Sequence, residues 1–230
     1  MKRTRVKICG ITRLEDAISA ARLGADALGF VFVPASRRNI APDKARCIVE
    51  QLPPFVEVVG LFLDAKPEAI EAALEAVPSL LPQFHGRESA TDCERWERPY
   101  LKAIGLGQKS TVERLSEEAE LRSIAEQLAA HRKACGFLFD SNAPGQLGGT
   151  GHVFDWQKLD RTVGRNLPGS LILAGGLGVH NVSQAIRQVA PWAVDVSSGV
   201  EKDKGIKDLQ KMKTFIEAVR AADRHIEEKP

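Results

Sequence analysis

Two residues far apart in this 230-residue chain have the chemistry of an acid–base pair. Cys9 lies in Val6-Lys7-Ile8-Cys9-Gly10-Ile11-Thr12, and Asp140 ends Gly136-Phe137-Leu138-Phe139-Asp140. Side chains of an extended run alternate between faces. Val6 and Ile8 therefore share one face, which packs, while Lys7 and Cys9 share the other, which looks into a cavity. A thiol facing a carboxyl group across such a cavity suits proton shuttling, one group as base and the other as acid. The thiolate is the competent form of cysteine. With a pKa of ~8.5, a free cysteine is only slightly ionised near neutrality unless a cation helps. Lys7 is placed to be that cation; equally, it is half of an interior ion pair with a structural acid.

Other chemistries find less support. His85, His131, His152, His180 and His225 show no close spacing to one another, so no metal-ligand set emerges. Cys9, Cys47, Cys93 and Cys135 lie tens of residues apart without a Cys-x-x-Cys pair, which argues for reduced thiols rather than zinc sites or disulfides. Cys47 and Cys135 read as small core residues. A nucleophilic Cys9–His85 pair has no supporting signature. The glycines cluster late, at Gly148 to Gly151, in Leu173-Ala174-Gly175-Gly176-Leu177 and in Val196-Ser197-Ser198-Gly199-Val200. Glycines let backbone amides approach phosphate oxygens, and Ser198 adds a hydroxyl donor. One such loop is as well explained by a tight turn; two, after consecutive strands, point to phosphate.

The elements that must position these groups alternate. Helices are expected over Leu14–Leu23, stopped by Gly24, from Pro42 to about Leu52, over Pro67–Ala76, from about Thr111 to His131, from near Asp155, from about His180, and from about Gly205 to Ala221. Strands are expected at Val6–Cys9, Ala27–Val33, Val56–Leu63, Ser79–Phe84 (interrupted by Pro82), Tyr100–Ile104, Gly136–Phe139, Ser170–Leu173 and Ala193–Val196. Near-continuous apolar strands alternating with helices imply a parallel sheet covered on both faces. Eight units in this length predict an α/β fold, a single-domain (β/α)8 TIM barrel over residues 1–230. The rival doubly wound sheet would carry its glycines after the first strand. In a barrel, reactive groups sit at the carboxyl ends of strands and phosphates after strands seven and eight. That rule selects Cys9, Arg37, Arg38, Gln83, His85, Asp140 and Asp195. Lys+Arg at 32 against Asp+Glu at 30 gives a net charge of +2, without the basic excess of a nucleic-acid or membrane-surface protein. The apolar runs are too short to span a bilayer, so a soluble intracellular protein is expected.

Lys7-Ile8-Cys9-Gly10-Ile11-Thr12, Gly24-Ala25-Asp26-Ala27-Leu28-Gly29-Phe30, Gln83-x-His85-Gly86, Gly148-Gly149-Thr150-Gly151, Phe154-Asp155-Trp156, Ala174-Gly175-Gly176-Leu177 and Val194 to Glu201 with Gly205-x-Lys207-Asp208 together resemble the phosphoribosylanthranilate isomerases of tryptophan biosynthesis. The likeness covers nearly the whole chain. It implies an Amadori rearrangement of N-(5-phosphoribosyl)anthranilate to 1-(2-carboxyphenylamino)-1-deoxyribulose 5-phosphate, without cofactor or metal. It also implies Asp140 as general acid, Cys9 as general base, Arg38 for the anthranilate carboxylate with Arg37 a solvated neighbour, and Gln83 and Asp195 as further substrate contacts. Gly149, Gly151, Gly175, Gly176, Ser198 and Gly199 would hold the phosphate. His85 is read as structural. Asn39 replaces an aromatic residue common in the family, and Pro82 and Phe84 depart from its usual fourth-strand pattern, which predicts a distorted strand there. The partner implied is a small phosphoribosyl molecule, with no nucleic acid and no membrane, for a cytoplasmic monomer or homodimer. Two alternatives are a histidine-pathway ribosylamine isomerase, which has a carboxylate in place of Cys9 and an early phosphate site, and a non-catalytic phosphometabolite-binding barrel.

Overall fold

A computed structural model describes residues 3–106, 117–141 and 167–227. Eight parallel strands close into a barrel in chain order. They are β1 (Arg5–Cys9), β2 (Ala27–Val31), β3 (Glu57–Phe62), β4 (Leu81–Phe84), β5 (Leu101–Gly105), β6 (Gly136–Asp140), β7 (Ser170–Leu173) and β8 (Ala193–Val196). Pairing of β1 with β8 closes the sheet on itself, with Lys7 opposite Asp195. The described helices are α1 (Leu14–Leu23), α2 (Pro42–Val49), α3 (Pro67–Ala76), α4 (Ala90–Glu94), α5 (Glu117–Ala130), α6 (Val182–Val189) and α7 (Leu209–Glu227). None of them is long and apolar enough to cross a membrane.

The boundaries follow local chemistry. Helix α1 ends where Gly24 adopts φ 94°, a left-handed cap that L side chains resist. Helices α2 and α3 start on Pro42 and Pro67, whose missing amides cost nothing in a first turn. The short α4, which the sequence pattern did not reveal, is held by a capping box in which Ser89 and Asp92 bond each other's backbone amides. Strand β4 is shorter than expected, and only Gln83 and Phe84 pair with β5, because Pro82 has no amide to give a ladder. The last helix begins at Leu209 rather than Gly205. A one-turn helix at Ser198–Val200 and an antiparallel hairpin of β9 (Glu201–Asp203) and β10 (Ile206–Lys207) intervene. The helix expected near Asp155, the opening of the one expected from Thr111, and Gly148 to Gly151 lie outside the described residues.

Alternation sorts the strand side chains into three regions. Val6 and Ile8 join the large core between barrel and helices. Val59, Leu101, Ala103, Leu138, Ile172, Ala174 and Ala193 fill the barrel itself. Cys9 belongs to a small cluster with Val31, Val33, Leu61 and Leu63 at the carboxyl ends of the first strands. The cysteines divide differently from expectation. Cys9 and Cys93 are buried, whereas Cys47 and Cys135 are exposed and are not core residues. Cys47 follows Ala45 on α2 by two positions, which turns it off the buried stripe formed by Ala45 and Ile48.

Candidate active site

The carboxyl ends of β1, β2, β3, β4, β6, β7 and β8 converge on one cavity. Cys9, Arg38, His85, Asp140, Asp195 and Ser198 all line it, as do Gly175 and Gly176. Residues spread over 190 positions of sequence therefore share one mouth because the barrel closes. Gly175 sits at φ +77°, and a Cβ there would lie 2.2 Å from the Ser141 amide nitrogen. The turn after β7 thus packs directly on the residue that follows Asp140. Gly199 lies on the one-turn helix after β8, behind Ser198. Gly149 and Gly151 lie outside the described residues.

Lys7 resolves both readings made of it. Its Nζ donates to Asp195 Oδ1 at 2.8 Å, with the two side chains 5 % and 10 % exposed, so it is half of a buried ion pair. It also stands close enough to the Cys9 thiol for each to act on the other's ionisation. Burial lowers the Lys7 pKa, but the charges of Asp195 and Cys9 outweigh it, and the ammonium is held above its usual range. For Cys9, burial pushes the thiol up; Lys7 and Lys207 pull it down, Asp195 opposes them, and burial wins. The resting thiol is protonated, and Lys7 is the group that keeps its thiolate within reach. Cys9 pairs across the ladder with Gly29. A Cβ on Gly29 would stand 2.8 Å from Cys9 Sγ and 3.1 Å from Lys7 Nζ, so the absence of a side chain there is what lets thiol and ammonium meet.

Asp140 is buried at the end of β6, and its carbonyl accepts a hydrogen bond from the Leu106 amide. His85 stands at the mouth, where its place at the end of β4 puts it, with Nε2 3.5 Å from Asp140 Oδ2. Gln83 is fully buried two residues earlier on the same inward face, and its Nε2 lies 3.3 Å from His85 Nδ1. It reaches the cavity through His85 rather than directly. Asp195, in contrast, lines the cavity itself while accepting from Lys7. Arg38 is gripped by Glu201, Nε to Oε1 at 2.8 Å and Nη2 to Oε2 at 2.7 Å. Sequence reasoning passed over Glu201, Lys207 and Gly29. The only local signal was the Glu201…Lys207 spacing within the late motif.

A closed parallel barrel with a thiol, a carboxyl and an imidazole at its mouth, and glycine- and serine-lined turns after its last two strands, defines a (β/α)8 enzyme built for acid–base chemistry on a phosphorylated small molecule. The family described as N-(5'-phosphoribosyl)anthranilate (PRA) isomerase matches residues 6–218, and the chain belongs to that family. The N-(5'-phosphoribosyl)anthranilate isomerase of Thiobacillus denitrificans is 48% identical over 218 residues, covering 95% of this chain and 98% of that one. Among solved structures, phosphoribosyl anthranilate isomerase from Thermotoga maritima superposes with a TM-score of 0.80 at 40% identity, covering 95% of this chain and 99% of that one. A phosphoribosyl anthranilate isomerase in complex with reduced 1-(o-carboxyphenylamino)-1-deoxyribulose 5-phosphate superposes with a TM-score of 0.78 at 38% identity, with the same coverage. The chain is thus an isomerase of tryptophan biosynthesis.

Proposed function

We propose that the mouth of the barrel performs the Amadori rearrangement of N-(5-phosphoribosyl)anthranilate, with Asp140 as general acid and Cys9 as general base. The observation that carries this is the convergence of both side chains on one cavity, with Lys7 acting on Cys9 and His85 Nε2 3.5 Å from Asp140. Asp140 gives a proton to the ribose ring oxygen as the C1–O bond breaks, leaving a protonated Schiff base. The Cys9 thiolate then takes the proton from C2, and the electron pair moves to form an enolamine. Protonation at C1 and loss of the C2 hydroxyl proton give the ketone, so the reaction changes no net proton count. Each proton transfer is worth roughly 10²- to 10⁴-fold in rate.

The substrate is held at its two ends. Gly175, Gly176, Ser198 and Gly199, together with Gly149 and Gly151, hold the phosphate, as the phosphate sites of such barrels do. Arg38 holds the anthranilate carboxylate through the planar match of guanidinium and carboxylate. Gln83 acts through His85, and Asp195, which lines the cavity, contacts the substrate. Every residue named comes from one chain, so the site serves a monomer and a homodimer alike. The whole chain works as one domain, with a small phosphoribosyl molecule as its partner, in the cytoplasm.

Loss of phosphoribosylanthranilate fluorescence measures the reaction directly. Cys9→Ala and Asp140→Asn are each expected to lose at least about 10²-fold in kcat while remaining folded. Full activity in either variant would overturn its assigned role.

A further inference from the structure

Arg38 poses an electrostatic problem for the function just proposed. A guanidinium already gripped at two points by Glu201 forms a neutral pair, and a neutral pair is a poor attractor of a carboxylate. The grip uses Nε and Nη2, which leaves the Nη1 edge with no hydrogen-bond partner among the described residues. The geometry for a second carboxylate is therefore preserved while the charge is cancelled.

Lys207 restores the charge. Its Nζ donates to Glu201 Oε1 at 2.8 Å, the same oxygen that accepts from Arg38 Nε, and also lies 3.3 Å from the Ser197 carbonyl oxygen. Its side chain is wholly buried and does not line the cavity, so it does not meet the substrate. The Lys207 backbone is pinned as well, its amide donating to Asp16 Oδ2 on α1 at 3.0 Å. Glu201 is thus shared by Arg38 and Lys207. Burial lowers the Lys207 pKa against the charge and hydrogen bond of Glu201, and while Lys207 holds its proton the triad carries one net positive charge. Burial works against the Glu201 charge, but the hydrogen bonds and charges of Arg38 and Lys207 prevail and hold its carboxyl below its usual range.

We infer that Lys207 is a specificity-determining residue that acts through Arg38: by neutralising Glu201 it leaves the Arg38 charge available to the substrate's ring carboxylate. The hairpin β9–β10, which carries both Glu201 and Lys207, thereby couples the loop after β8 to the loop after β2. The inference rests on Arg38 being the carboxylate site. A buried charge is felt strongly across a few ångströms, because little water screens it.

The test compares two probes in the full-length protein: reduced 1-(o-carboxyphenylamino)-1-deoxyribulose 5-phosphate, and the same compound without the ring carboxylate. Lys207→Met is expected to weaken the carboxylate probe about tenfold and leave the other unchanged, a difference that corresponds to one lost charge interaction. Lys207→Arg keeps the charge and is expected to bind both probes as the wild type does. A purely structural role would weaken both probes together in Lys207→Met, and that result, or no change in either probe, would overturn the inference. If Lys207→Met does not fold, Glu201→Gln/Lys207→Met removes both buried charges and leaves the net charge at one. It is expected to keep the wild-type preference for the carboxylate probe within about threefold, and a selective tenfold loss there would equally overturn the inference. Arg38→Met separates the two levels: if it fails to abolish the preference for the carboxylate probe, the reading of Arg38 itself falls.

Discussion

Gly29 has no functional group, yet its replacement is expected to damage the reaction as much as the loss of a chemical partner. In Gly29→Ala the new Cβ would stand 2.8 Å from Cys9 Sγ, 3.1 Å from Cys9 Cα and 3.1 Å from Lys7 Nζ. Ordinary van der Waals contact begins near 3.4 Å. The sulfur must therefore retreat by about 0.6 Å to regain that contact, and β1 cannot slide away, because it is paired with β2 on one side and β8 on the other. Overpacking of this kind costs about 1–3 kcal/mol, which lowers Tm by only a few degrees per kcal/mol in a chain of this size. The catalytic effect is larger, since misplacing a reacting group by about 1 Å costs about 10²-fold. The assay is the initial rate of phosphoribosylanthranilate fluorescence loss, beside a thermal melt and the pH profile of Cys9 alkylation. The expected result is a folded protein with kcat reduced about 100-fold and an alkylation profile moved to higher pH, because the thiol loses its ammonium partner. A folded variant with kcat within about threefold of wild type and an unchanged alkylation profile would refute the account of how Lys7 and Cys9 meet.

Three further outcomes follow from the same structure. Lys7→Met leaves Asp195 buried without its cation, so it should destabilise the fold by about 3–5 kcal/mol in urea unfolding and move Cys9 alkylation to higher pH; an unchanged profile would remove Lys7 from any role in ionising the thiol. Ser198→Ala should raise KM about tenfold with kcat little changed, the pattern for a lost hydrogen bond to a charged group in both ground and transition states, whereas an equal fall in kcat and kcat/KM would place Ser198 in the chemical step. Burial lowers the His131 pKa from 6.5 to about 4, beside Tyr100 at 3.3 Å. The unfolded chain takes up that proton first, so stability present above about pH 6.5 is lost as pH falls toward 4; in His131→Gln, urea midpoints at pH 7 and pH 5 should lie closer together than in wild type, and equal separation would contradict it.

Much of the architecture was legible before any coordinates, because it rests on local signals. Pro42 and Pro67 open helices and Gly24 closes one wherever they occur, so α1 and α3 were bounded to the residue. Errors arose where the signal was weak or the decision was not local. Helix α4 is too short for a periodic pattern and is held by a cap. Gly205 looked like a helix start but serves the β9–β10 hairpin. Cys47 and Cys135 are exposed because burial is set by neighbours brought from elsewhere in the chain, not by residue type.

For the site, alternation along β1 was enough to put Lys7 and Cys9 on one face and Val6 and Ile8 on the other, and strand ends were enough to select Cys9, Arg38, His85, Asp140 and Asp195 as cavity residues. Those are properties of single strands, written in adjacent residues. Which group tunes which was decided only by barrel closure. Lys7 meets Asp195 because β1 pairs with β8 in one register. Gly29 makes room for the thiol because β1 pairs with β2 in another. Glu201 and Lys207 reach Arg38 because a hairpin folds back across the mouth. Charges, steric exclusion and desolvation act over a few ångströms regardless of sequence distance, so the chemistry's components were readable along the chain and its tuning only across the barrel.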